Sequence, residues 1–66
     1  MNFVVKSDVN DPSKHLVYVD QINVGIVSYH ELSKTGWYED GDRGHFVLMF
    51  DIEYDDLINC IRKYYG

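Results

Sequence analysis

Few side chains in this chain are suited to chemistry: three histidines, one cysteine and eleven carboxylates among 66 residues. His15, His30 and His45 lie fifteen residues apart, far from the short spacings that put two ligands on one helix face, and no HExxH is present. His30 and His45 could approach each other only if the strands that carry them are neighbours. Cys60 is the only cysteine, which excludes an internal disulfide and CxxC metal clusters. Asp40-Gly41-Asp42-Arg43-Gly44 superficially resembles a calcium loop. Setting Gly44 at position six puts Gly41 and Arg43 where two acidic ligands are required, so the motif fails. No metal and no cofactor are expected.

Covalent catalysis fares no better. A nucleophile needs a base within reach and a third group to orient that base. Cys60 stands beside Ile58 and Ile61, where a small core residue is expected rather than a thiolate. Ser7, Ser28 and Ser33 are not framed as a nucleophile elbow, and Gly36, Gly41 and Gly44 do not match a phosphate loop. The chain is read as a non-enzyme with no catalytic residues.

Binding is what remains. Between Glu39 and Asp56 stand Glu39, Asp40, Asp42, Asp51, Glu53, Asp55 and Asp56 against Arg43 alone. The plain reading makes them turn residues and helix-cap acids; the sharper one makes them a single negative surface that docks on a basic partner. Trp37-Tyr38 sits directly beside the first of these acids, as aromatic anchors do in a polar-rimmed contact site. The expected partner-binding set is therefore Trp37, Tyr38, Glu39, Asp40, Asp42, Glu53, Asp55 and Asp56. The net charge of -5 opposes direct contact with nucleic acid or an anionic membrane.

Those residues must be positioned by one small fold. A chain of 66 residues supplies one core, so residues 1–66 form a single domain. At 45% hydrophobic and 15% aromatic it is too apolar for a disordered segment. Alternation marks strands at 2–9, 15–20 and 24–30, with a hairpin at Gln21-Ile22-Asn23 in which Asn23 takes positive φ. Gly25 implies a bulge or a large neighbour across the backbone, with Tyr18 and Trp37 the expected neighbours. Ser33-Lys34-Thr35-Gly36 reads as a turn, and Trp37-Tyr38-Glu39 as at most a short strand. His45 to Phe50 is the last strand, apolar on both faces, which implies a central strand or one whose outer face meets a partner.

Tyr54, Leu57, Ile58, Ile61, Tyr64 and Tyr65 recur at helical spacing, with Asp51 placed to cap the N-terminus. The fold class is α+β: an antiparallel meander of about four strands with one C-terminal helix on one face. Phe3, Tyr18, Phe46, Phe50 and Tyr54 are the expected aromatic core, and the strand at 2–9 an expected sheet edge.

No stretch carries a family signature. In size, acidity and lack of catalytic residues the chain is similar to small inhibitors encoded by phages and mobile elements, anti-CRISPR and anti-restriction proteins among them. That likeness implies a DNA-mimicking protein that occupies a basic, nucleic-acid-binding surface of a larger protein. The alternative is an assembly or dimerisation module that adds its first strand to another sheet; a homodimer is left open. No basic region precedes the apolar Phe3-Val4-Val5, and Cys60 is alone, so a cytoplasmic protein is expected.

Overall fold

The computed structural model describes residues 1–41 and 46–66. Five strands, β1 (Phe3–Ser7), β2 (Lys14–Val19), β3 (Ile22–His30), β4 (Thr35–Asp40) and β5 (Phe46–Met49), precede one helix, α1 (Tyr54–Tyr65). The sheet order is β1-β2-β3-β4-β5 with every pair antiparallel, a plain meander. The α+β class holds, with five strands rather than about four. The added strand is β4, which takes up Thr35 and Gly36 from the expected turn. The chain instead turns at residues 31–34, where Lys34 adopts φ 51°. Gly36 is needed for closeness: a Cβ there would collide with Leu57 Cδ2 and lie 3.0 Å from Tyr29 Cδ1.

The β2–β3 hairpin turns on Asp20 and Gln21, with φ 50° and 70°, and Asn23 already lies in β3. Two consecutive positive φ values match the twist of the flanking strands. Asn23 does different work. The register shifts between Val17 and Tyr18, which pair with Gly25 and Asn23 and leave Val24 as the bulged residue. Asn23 Nδ2 donates to Val17 O (3.1 Å) and Gly25 O (3.3 Å), holding the bulge closed. The neighbour across Gly25 is Tyr38, not Tyr18 or Trp37.

Helix α1 lays Leu57, Ile58 and Ile61 on Val17, Val27, Tyr29 and Tyr38, which together form the buried core. Glu53, not Asp51, holds the N-cap position, in extended conformation and without a side-chain cap bond. Asp51 adopts φ 52° in the preceding bend. Ile52 N donates to Lys34 O (2.9 Å), and Lys34 pairs with Glu53, so the turn after β3 is tied to the start of the helix. Asp55 and Asp56 in the first turn and Arg62 and Lys63 in the last suit the helix dipole. Cys60 is exposed, contrary to its expected place near the core. It lies one residue, about 100° of rotation, before buried Ile61.

Strand β1 is a sheet edge, as its pattern implied, and β5 is the other. That overturns the central-strand reading of β5. Its Val47 and Met49 pack on the core, whereas Phe46 is 56% exposed and Leu48 47%. Phe50, just beyond, is also exposed, so two of the five expected core aromatics are on the surface. Among the described residues no helix is long and apolar enough to cross a membrane.

Candidate interaction surface

The period of two along a strand sorts every sheet residue to one of two sides. Val17, Val27, Gly36 and Tyr38 face the helix. Their immediate neighbours face away from the helix; of these Ile26 is exposed, Leu16 and Trp37 are half-buried, and Ser28 is buried. The register builds one row across the open side from Lys6, Leu16, Ile26, Glu39 and Phe46. The next row holds Lys14, Ser28, Trp37 and Leu48. Leu16, Ile26, Trp37, Phe46 and Leu48 thus share the open side, with Glu39 set between Ile26 and Phe46 and with Lys6, Lys14 and His30 at the margins. The His30 ring lies 5.7 Å from that of Trp37, and Lys6 Nζ sits 5.3 Å over the Tyr18 ring.

Among the expected binding residues, Trp37 and Glu39 fall on this open side. Tyr38 and Asp40 do not, because they alternate with them. Tyr38 is 1% exposed and Asp40 3%, so neither offers a partner a surface. Both belong to a polar chain under the C-terminal end of α1. The Tyr65 hydroxyl donates to Asp40 Oδ2 (2.5 Å), which leaves its oxygen to accept from the Tyr38 hydroxyl. Burial, and then the bond to Asp40, pushes the Tyr65 hydroxyl far above the ordinary tyrosine range; burial pushes Tyr38 upward as well. These bonds close one end of the core, since half-buried Tyr65 partners the buried polar groups of Tyr38 and Asp40 together.

The acids do not gather on one face. Glu39 is on the open side, whereas Asp55 and Asp56 begin the helix on the other, and Glu53 is engaged with Lys34. Asp42 lies outside the described residues, as does His45 and with it the expected approach of His30 to His45. Among the described residues no three His, Cys, Asp or Glu side chains are grouped to hold a metal ion.

Ile26, Phe46 and Leu48 are exposed and Leu16 is half-buried; none is among the expected binding residues, because alternation separates two faces without saying which one the helix covers. The available signal was β5, whose apolar residues on both faces fit a strand with an unburied outer side. Compared with protein-family models, curated proteins and solved structures, the chain matches none.

Proposed function

We propose that the chain is a non-enzymatic protein-binding domain that seats the open side of its sheet on a larger protein. One observation carries this reading: the single helix covers one side of the sheet and leaves Leu16, Ile26, Trp37, Phe46 and Leu48 together on the other. Strand spacing of about 4.8 Å and a rise of about 3.3 Å per residue make the face of a five-stranded sheet roughly 400 Å² in projection. That is about half of what each partner buries in a standard interface, about 800 Å², so the bordering side chains must join the contact. Trp37 is the anchor, a large, rigid ring near the centre of the patch. The net charge of -5 steers the domain toward a basic partner, while apolar burial supplies affinity. An inhibitor of a nucleic-acid-binding protein fits this description, with the carboxylates speeding encounter instead of forming the contact itself.

The test is paired capture with tagged wild type, Trp37→Ser/Leu48→Ser and Asp55→Asn/Asp56→Asn. The face variant should lose the partner that wild type retains. The helix variant should keep it, with slower association and a weaker response to salt. Retention by the face variant would refute the open-side contact and favour strand addition at an edge.

A further inference from the structure

On the helix side of the sheet, opposite the proposed contact face, three aromatic rings meet around a recess of about 280 Å³ lined by Pro12, His15, Tyr29, Glu31 and Tyr54. β2 supplies His15, β3 supplies Tyr29, and Tyr54 is the first residue of α1. The Tyr54 ring centre lies 4.9 Å from that of His15 and 5.6 Å from that of Tyr29, with interplanar angles of 50° and 65°. Rings inclined this steeply do not stack flat; they form the walls of a cup.

The walls are braced. The Tyr29 hydroxyl donates to Ile52 O (2.8 Å). Asp11 accepts from Ser13 N (3.0 Å) and Ser13 Oγ (2.7 Å), fixing the turn that carries Pro12. Pro12 and Glu31 are exposed at the rim.

The local charge favours a cation. Glu31 acts on the Tyr29 hydroxyl and Asp55 on that of Tyr54. Lys34 and Glu53 also act on Tyr29, with opposite sign, and they pair with each other. Burial holds His15 below the ordinary histidine pKa, so at neutral pH it is an uncharged aromatic wall. The volume lies just below the usual range for ligand pockets, which suits a head group better than a whole cofactor.

We propose that this cup binds an alkylammonium cation among the rings of His15, Tyr29 and Tyr54, with Glu31 as its counter-charge. The attraction is that of a cation held within about 6 Å of ring centres. The cation is either the end of a lysine or methylated-lysine side chain or a free quaternary ammonium compound.

The experiment is an NMR titration of the labelled protein with choline and with its neutral isostere, 3,3-dimethylbutan-1-ol. Choline should shift the ring signals of His15, Tyr29 and Tyr54, and the alcohol should bind at least about fivefold more weakly. Tyr54→Leu, checked for folding by circular dichroism, should abolish the choline shifts. Glu31→Gln, a surface change outside the core, should weaken them severalfold. A short trimethyllysine peptide binding about tenfold tighter than choline assigns the cup to a protein side chain, and equal binding assigns it to a free cation. Equal binding of the alcohol, shifts unaltered in both variants, or no shifts at tens of millimolar choline would overturn the proposal.

Discussion

Gly25 should be among the least replaceable residues in the chain. It pairs with Asp40 across β3–β4, beneath the Tyr38 ring. A Cβ at this position would stand 2.5 Å from the Tyr38 hydroxyl, 2.7 Å from Tyr38 Cε1, and closer still to the Glu39 carbonyl oxygen. None of these can retreat cheaply. The carbonyl is part of the backbone of β4, and Tyr38 is 1% exposed with its hydroxyl engaged by Tyr65. Overpacking of a filled core costs about 1–3 kcal/mol. Alanine returns about 0.5–1 kcal/mol through strand propensity and a stiffer unfolded chain. The upper part of the cost applies, because backbone must move, so Gly25→Ala should destabilise by about 2 kcal/mol or more. In a domain of this size that lowers the thermal midpoint by about 8–16 °C. Gly41 is the internal control: a Cβ there meets nothing within 4 Å among the described residues, and no positive φ opposes it. Gly41→Ala should leave the midpoint unchanged or raise it by a few degrees. Calorimetry or far-ultraviolet circular dichroism on the two variants reads both signs. A Gly25→Ala midpoint within about 3 °C of wild type would refute the tight seating of Tyr38 on β3.

Two pH dependences follow from the same packing. Tyr29, Tyr38, Tyr54 and Tyr65 all titrate above the ordinary tyrosine value of 10, with burial the leading cause for each. The folded state therefore holds their protons more tightly than the unfolded state. That stability is full below pH 10 and falls as pH rises beyond it. Tyr65→Phe should cost about 1–3 kcal/mol at neutral pH by removing the hydroxyl that bonds Asp40 and Tyr38, and should flatten the alkaline decline. Urea unfolding at several pH values would show both, and an unchanged alkaline slope would contradict the Tyr65–Asp40 bond. His15 shifts the other way, with burial lowering its pKa below 6.5. Its contribution is present above pH 6.5 and is lost as pH falls through the folded pKa, so His15→Leu should flatten the decline of stability below about pH 6.5. Identical acid limbs in wild type and variant would rule out burial of this ring.

Elements whose patterns are local were legible. The stripe of Leu57, Ile58 and Ile61 gave the helix, and alternation gave β1, β2 and β3 to within two residues at each end. What failed depended on contacts distant in sequence. Thr35-Gly36 has turn composition, but Gly36 is a strand residue because Leu57, 21 positions later, descends onto it. Asp40 has the composition of a docking-surface acid, yet it ends β4 and is buried against Tyr65. Trp37 and Tyr38 are adjacent in sequence and read as one binding element, but consecutive strand residues cannot share a face. The same alternation divides the acids, so their closeness in sequence did not become closeness in space.

Folding gives a reason for the apolar residues on one side of the sheet and none for those on the other. An α-helix of 12 residues is about 18 Å long, and it can cover only the side on which it lies. Antiparallel sheets are stable with one face packed and the other polar, so threonine or lysine at the positions of Ile26, Trp37 and Leu48 would serve the fold equally well. Single exposed apolar residues are ordinary on any protein. Here they adjoin across four strands, and they continue onto β5, an edge strand where exposed hydrophobic surface invites unwanted pairing. Leaving such a face uncovered carries an aggregation risk that polar residues would remove. On the proposed reading, Trp37 at its centre serves contact with a partner. The cup at His15, Tyr29 and Tyr54 differs in this respect, because its rings also support the helix, and only a ligand titration separates their structural role from recognition.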